Sequence, residues 1–321
     1  MADVVVFGAS GFIGTRLVAR LAGEGCRVRA YDLKPPRRRL DGVEYGVLDV
    51  RRAMDPTAAA GAEIIYNLAA VHQTPGHPPH EYYETNVFGA LNVVALARAV
   101  DCPTIVFTSS ISVYAPTEDL ITEDTPPQPA SDYGRSKLMA EGVHRQWLEA
   151  APSSHRLVVV RPGVVFGPGE GGNYTRLAGA LRRGAFAYPG RKTTIKSGGH
   201  VDELITAIAF ALARPERDIT FNYAYPREST AEDIVQAFAE VAGFRSRVPT
   251  VPLGLLLAAA GAFEAAAVVG FKTPIHRARV MKLVRSTRVA PGWLVRNGYA
   301  FSTDLHSALT QWRDETDGRF V

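Results

Sequence analysis

A glycine-rich turn constrains this chain most. The apolar run Val4–Phe7 ends on Gly8, and glycines recur at Gly11 and Gly14 as an amphipathic stretch, Ile13–Ala22, begins. A short apolar run bounded by glycine reads as a buried strand, and apolar residues recurring at helical spacing read as a helix. Gly8 permits the tight exit from the strand, Gly11 lets the backbone approach a ligand closely, and Gly14 lets the helix pack against the sheet. The start of that helix, Phe12 and Ile13 included, offers free N–H groups and the positive end of a dipole, a seat for a pyrophosphate.

The same alternation continues downstream. Val28–Tyr31, Val43–Leu48, Ile64–Leu68, Ile105–Thr108 and Leu157–Val160 read as strands, and Val87–Val100 and Ser136–Ala150 as helices. Strands alternating with helices predict an α/β fold, a Rossmann-like doubly wound parallel sheet covered on both faces. After Arg161-Pro162 glycine and proline become frequent, and helical patterns follow at Tyr174–Arg183, Asp202–Ala213, Ala231–Ala242 and Pro252–Val269. The expected organisation is a dinucleotide-binding domain over 1–161, joined by a return strand at 219–223, and a smaller, mostly helical substrate lobe over 162–321. Such a lobe closes over the carboxyl ends of the strands, where ligands bind.

Bulk properties exclude several classes. A net charge of +4 over 321 residues does not call for nucleic acid, although it suits an anionic ligand. The two cysteines, Cys26 and Cys102, have neither metal spacing nor a disulfide framework, which points to a reducing cytoplasm. No secretory leader is read at the N-terminus. Pro252–Phe271 is almost wholly apolar, but Glu264 interrupts it and alanine and glycine dominate. It reads as a buried or lobe-packing helix rather than a span; membrane association is not expected, with contact at a membrane surface left as the alternative.

Three groups of residues point to chemistry. Asp32, at the end of the second strand, can accept hydrogen bonds from an adenosine ribose and repel a 2′-phosphate, favouring NAD over NADP. Lys34 and Arg37–Arg39 then form a solvated loop. Asp49, before Val50, either accepts from the adenine amino group or caps a turn. Tyr133 and Lys137 stand one helical turn apart and share a face. A free tyrosine has a pKa near ~10; a nearby ammonium and a positive nicotinamide ring lower it, so that the phenol can take a proton from a substrate hydroxyl. Thr108-Ser109-Ser110 closes a core strand at the ligand-binding edge, where a hydroxyl can hold an oxygen that becomes a carbonyl.

Together these motifs resemble an extended short-chain dehydrogenase/reductase of the nucleotide-sugar epimerase/dehydratase type, nearly end to end. Gly8-Ala-Ser-Gly-Phe-Ile-Gly14 matches the glycine motif. Asn67-Leu68-Ala69-Ala70 matches the segment lining the cofactor, and Thr85-Asn-Val-Phe-Gly89 the helix start with its structural asparagine. Ser109-Ser110-Ile-Ser112-Val-Tyr114 matches the hydroxyl strand, and Tyr133 and Lys137 the Tyr-x-x-x-Lys pair. Arg161-Pro162 and His200-Val-Asp-Glu-Leu204 match later landmarks. The resemblance implies bound NAD, Ser110, Tyr133 and Lys137 as the catalytic trio, and a UDP-, GDP- or dTDP-linked sugar epimerised, often at C4, by transient oxidation of a hydroxyl. It also implies a homodimer paired through the 87–100 and 136–150 helices. Lys196 falls where many members place an arginine on the nucleotide diphosphate, unless it is a solvated loop lysine.

Departures narrow the reading. Ile111 and Ser112 occupy the places where sugar dehydratases carry Asp-Glu, which disfavours a dehydratase. Pro162-Gly163-Val164 replaces the asparagine that many epimerases set on the nucleotide, and Asn173 is a substitute amide. Arg277, Arg279, Lys282 and Arg285 form a basic helical face from which Arg279 is the candidate for a diphosphate. His72, His77 and His80 crowd a proline-rich loop bordering the nicotinamide, without the partners a metal needs. The alternatives are an NAD(P)H-dependent reductase of a keto-sugar or of a steroid- or flavonol-like ketone, and a non-catalytic dinucleotide sensor, against which the intact trio argues.

Overall fold

The computed structural model describes residues 2–74, 76–245, 247–268 and 277–321, with the backbone only at 265–268, 278, 279 and 282. Seven parallel strands form the central sheet: β1 (Asp3–Phe7), β2 (Arg27–Asp32), β3 (Val43–Val47), β4 (Ile64–Asn67), β5 (Thr104–Thr108), β6 (Arg156–Pro162) and β7 (Asp218–Tyr223). Their spatial order is β3-β2-β1-β4-β5-β6-β7, so the chain reverses its direction of travel between β1 and β4. In a parallel sheet the crevice at that switch point, beyond the carboxyl ends, is where ligands bind.

Both faces are covered, which is why the strands read as continuous apolar runs. Val4 and Val6 pack with α1 (Phe12–Gly23) and α5 (Val201–Leu212), while Val5 and Phe7 pack with α2 (Gly89–Ala99) and α3 (Asp132–Ala150). A third apolar cluster joins α4 (Asn173–Arg182), α6 (Ala231–Ala242) and α9 (Leu305–Glu315) through Tyr174, Phe238 and Trp312. Arg16 of α1 pairs with Asp202 of α5 and Glu315 of α9 at 2.5 Å each, tying this cluster to the glycine turn.

Two boundaries differ from expectation where side chains act locally. Helix α3 starts at Asp132 rather than Ser136, because Ser131 accepts from the Gly134 N–H at 3.1 Å and caps it. Before α2 the chain makes a π turn, Glu84–Phe88, that buries Asn86. Three small parallel pairs were not anticipated: Thr117–Ile121 with Thr287–Val289, Val164–Phe166 with Gly198–His200, and Tyr188–Pro189 with Thr250–Val251. They are short, and the first is polar in sequence, so no apolar period marks them.

Over the apolar run at 252–271 the expected buried or lobe-packing helix is only partly covered: Ala260 is buried. Helix α7 (Leu253–Val268) forms, but Leu255 is 64% and Phe263 45% exposed, and Ala258, Ala259 and Ala262 are exposed too. Residues 269–271 lie outside the described residues. Among the described residues no helix is long and apolar enough to cross a membrane.

Candidate active site

The glycine turn sits at the switch point. Gly8 has φ +80°, and a Cβ there would meet Ala69 N at 2.7 Å and the Leu68 carbonyl carbon at 2.8 Å, so only glycine lets β1 leave the sheet against the end of β4. A Cβ on Gly14 would run into the Gly8 carbonyl oxygen and meet Ala9 Cα at 2.8 Å. Gly11 donates to the Gly8 carbonyl at 3.1 Å and opens α1, whose first turn has no side-chain cap and no acidic residue. The N–H groups that an α-helix leaves unpaired in its first turn are thereby offered to an anion.

Asp32 braces this turn. Its carboxylate accepts from Ser10 N at 3.0 Å and from Lys34 N at 3.0 Å, and the Ser10 hydroxyl donates to the Lys34 carbonyl at 2.8 Å. Each carboxylate oxygen keeps acceptor capacity for a ribose hydroxyl. Arg39 lies over the Tyr45 ring at 5.1 Å, while the Arg37 guanidinium comes within 3.4 Å of a Cβ built on Gly169 in the chain's second half. Asp49 is held by Arg51 at 2.8 Å, which lowers its pKa, and Val50 is buried with its carbonyl accepting from Asn92 at 2.8 Å.

The candidate trio comes together where β5 ends. Ser110 leaves the strand in extended backbone, and its hydroxyl accepts from Ser112 N at 3.1 Å. A Cβ on Gly134 would collide with the Ser112 carbonyl oxygen and lie 2.9 Å from its carbon, so α3 starts in backbone contact with the serine turn only because Gly134 has no side chain. That contact brings the Ser110 hydroxyl to the Tyr133 phenol. One turn on, Ser136 donates to the Tyr133 carbonyl at 2.9 Å and accepts from Asn86 at 2.8 Å. Asn86 also clasps Val71 through its N–H at 3.0 Å and its carbonyl at 3.2 Å, which sets the loop after β4 against α3.

Lys137 is 1% exposed, with its ammonium over the Phe107 ring at 4.5 Å. Burial pushes its pKa down to about 7, against the pull of the Glu141 carboxylate. The Tyr133 phenol is pushed up, chiefly by burial and slightly by Tyr82, while the Ser110 hydrogen bond favours the phenolate. In the chain alone desolvation dominates, and the opposing pull comes from Ser110.

Two features escaped the sequence reading. Tyr133, Lys137 and Glu141 form one stripe on α3 at successive turns, and Glu141 anchors a buried network. Its Oε1 accepts from the Ser109 hydroxyl at 2.5 Å and Arg161 Nε at 2.8 Å, and its Oε2 from Arg161 Nη2 at 2.6 Å. Arg161 also donates to the Tyr114 hydroxyl at 2.6 Å, which donates to Asn222 at 3.3 Å. A carboxylate one turn beyond the lysine, with an arginine at the end of the next strand, was the available signal. The second feature is the roof: Tyr82, whose hydroxyl donates to the Gln73 carbonyl, stands 6.2 Å from the Tyr133 ring. His77 meets the Tyr82 ring edge-on at 5.9 Å, and His72 of the same loop is pushed down in pKa by burial and the Lys137 charge.

The remaining candidates scatter. Thr108 and Pro162 are buried at strand ends beside the trio. Leu68, Ala69 and Ala70 follow β4 half-buried, and Ser112 sits in the serine turn. Asn173 is exposed at the first residue of α4, whose N–H groups at Tyr174 and Thr175 are capped by Glu170 at 3.3 and 2.9 Å. Lys196 is half-buried, with its ammonium donating to the Arg285 carbonyl at 2.7 Å. Arg279 belongs to α8 (Arg277–Val284), and its side chain lies outside the described residues.

Residues 4–224 match the model of the NAD dependent epimerase/dehydratase family. The chain belongs to that family. NAD is therefore the cofactor of this epimerase/dehydratase-family chain. It is 29% identical over 311 residues, 96% of its own length and 93% of the other's, to an N-acetyl-α-D-glucosaminyl-diphospho-ditrans,octacis-undecaprenol 4-epimerase of Escherichia coli O157:H7. It is 28% identical over 298 residues to UDP-glucose 4-epimerase 3 of Oryza sativa subsp. japonica, with 78% and 79% of the two chains covered. Among solved structures, a Thermus thermophilus UDP-glucose 4-epimerase in complex with NAD superposes with a TM-score of 0.75 at 22% identity, covering 98% of this chain and 99% of that one. A Bacillus cereus UDP-N-acetylglucosamine 4-epimerase superposes with a TM-score of 0.77 at 15% identity, covering 99% and 97%. These two structural likenesses show a shared fold.

Proposed function

We propose that this chain is an NAD-dependent 4-epimerase of a sugar carried on a diphosphate, with a UDP-sugar as the substrate class. The observation that carries the reading is the junction of Ser110, Tyr133 and Lys137 at the end of β5, next to the glycine turn at the switch point. The uncapped start of α1 fits a pyrophosphate, and we assign Gly8, Gly11, Phe12, Ile13 and Gly14 to it. Asp32 takes the adenosine ribose, Asp49 and Val50 border the adenine, and Leu68–Ala70, Thr108 and Pro162 line the nicotinamide end. NAD, when bound, supplies a reversible two-electron acceptor and a positive ring.

In this reading Tyr133 removes the proton from the sugar hydroxyl and returns it after the sugar has turned. Ser110 hydrogen-bonds both the phenol and the substrate oxygen, so the proton moves along a path already formed in the chain. Lys137, buried beneath, stabilises the phenolate once it carries its proton. Ser112, Asn173, Lys196 and Arg279 are the candidates for the sugar and its diphosphate. The reductase reading is not favoured, because the two relatives above are 4-epimerases. We place the enzyme in the cytoplasm as a homodimer pairing through α2 and α3, where Phe88, Leu91 and Met139 are exposed apolar side chains.

The Escherichia coli relative supports a second reading of the same chemistry, in which the diphosphate carries a polyprenol instead of a nucleoside. Incubation with UDP-glucose, UDP-glucuronic acid, UDP-N-acetylglucosamine and a short polyprenyl-diphospho-N-acetylglucosamine, followed by proton NMR, separates the two. The first reading expects the C4 epimer from a UDP-sugar, and the second expects it from the lipid diphosphate. Epimer from none of them, or NADH accumulating in proportion to product, defeats both.

A further inference from the structure

We infer that helices α7 and α8 form a docking surface for an anionic phospholipid bilayer. Helix α7 is apolar on every side in sequence; Ala260 packs inward, yet Leu255 is 64% and Phe263 45% exposed, and Leu283 of α8 is 54% exposed. A helix that is apolar all round is normally buried in protein or lipid. Its 16 described residues extend about 24 Å at ~1.5 Å each, a length that suits a helix lying in the membrane interface.

Charge selects the occupant. Arg277, Arg279, Lys282 and Arg285 follow α7, and Glu264 is its only acid. That acid is already answered: Glu264 accepts from the Arg277 N–H at 2.7 Å and pairs with its guanidinium at 3.6 Å. Gly261 leaves room for that guanidinium, which a Cβ there would push aside. With Arg277 taken up by Glu264, the sequence still places Arg279, Lys282 and Arg285 after an apolar helix, a net positive charge of the kind that binds anionic leaflets. A second copy is a poorer partner, because a two-fold interface repeats the same patch and brings like charges together, and the dimer we propose uses α2 and α3.

The surface is coupled to the site. Thr194 Oγ1 donates to the Val284 carbonyl at 3.1 Å, Arg191 to Ser286 Oγ at 3.1 Å, and Lys196 to the Arg285 carbonyl at 2.7 Å. Membrane docked on α7 and α8 thus lies next to Lys196, the candidate for the substrate diphosphate. The docking itself does not depend on the epimerase reading, and the following assay involves no turnover.

The full chain is sedimented with vesicles of phosphatidylcholine alone and of phosphatidylcholine with phosphatidylglycerol, at low and high salt. We expect binding to the anionic vesicles that falls at least tenfold in high salt or on the neutral ones. Leu255→Glu with Phe263→Glu is expected to reduce binding at least tenfold, with melting temperature and NAD affinity unchanged. As a milder probe, Phe263→Trp is expected to shift its emission to shorter wavelength when anionic vesicles are added. No sedimentation with anionic vesicles, equal binding by the double variant, or no tryptophan shift overturns the proposal. So does a wild-type dimer that the double variant splits, which gives the face to a second copy.

Discussion

Gly134→Ala is the substitution that most sharply tests how the site is assembled. A Cβ at this position lies 2.9 Å from the Ser112 carbonyl carbon, and nearer still to its oxygen, whereas ordinary contact begins at 3.4 Å. Both groups are backbone, so no side chain can swing aside. The carbon alone demands a retreat of 0.5 Å and the nearer oxygen one of more than about 1 Å, a displacement on the scale that costs ~10²-fold when reacting groups are misplaced. The start of α3 cannot absorb it freely, because Ser131 caps Gly134 N and Asn86 holds Ser136. The gap therefore opens between Ser110 and Tyr133. We predict kcat down about a hundredfold, unfolding free energy down by ~1–3 kcal/mol from overpacking, and NAD affinity within about twofold, since the glycine turn lies on other elements. The assay is steady-state epimerisation beside urea denaturation and NAD titration. A folded variant with kcat within about threefold of the parent refutes the claim that this contact positions the phenol.

Other expectations follow from the same geometry. Tyr133→Phe should leave NAD binding intact and lower turnover by ~10²–10⁴, the range for loss of a positioned general base; near-normal kinetics remove Tyr133 from the mechanism. Asp32→Ala should weaken the preference for NAD over NADP in paired titrations, and should also loosen the glycine turn, since Ser10 and Lys34 lose their acceptor. Glu141→Gln should cost ~3–5 kcal/mol in urea denaturation, because it leaves the Arg161 guanidinium buried without its counter-charge. The Lys137 amine has a folded pKa near 7 against an ordinary 10.5. Between those values the unfolded chain binds more protons, so stability rises with pH across the window and is lost as pH falls through about 7. Lys137→Met should flatten that slope in denaturation curves recorded across that window, from about 7 to 10.5.

Much of the sheet was readable from sequence because both its faces are buried. Val4–Phe7 and Leu157–Val160 are apolar at every position, and such runs need no alternation to be seen. The candidate trio could be named from the sequence because its residues are chemically distinctive and sit at the ends of recognisable elements. The less legible parts depend on what meets what across the chain. Gly134 looks like an ordinary helix glycine until the Ser112 carbonyl is placed beside it, and Asn86 acts through a π turn that no periodicity announces. Glu141 and Arg161 are distant in sequence and polar, so burial of their ion pair is a property of the folded chain. The apolar stretch after Pro252 is a mixed case. Composition reads it as buried or lobe-packing, and Ala260 is buried, whereas Leu255 and Phe263 stay exposed because nothing in the described fold covers them.

The central claim is that one buried phenol, shared with Ser110, exchanges a proton with a sugar hydroxyl while the cofactor is regenerated in every cycle. Its most direct test is proton NMR of a diphosphate-linked sugar incubated with purified enzyme and trace NAD. The account predicts that the C4 epimer grows to an equilibrium mixture without net NADH, and that Tyr133→Phe abolishes the growth while still binding NAD. Epimer formed at the parental rate by Tyr133→Phe, or product made only as NADH is consumed or accumulates in step, contradicts it.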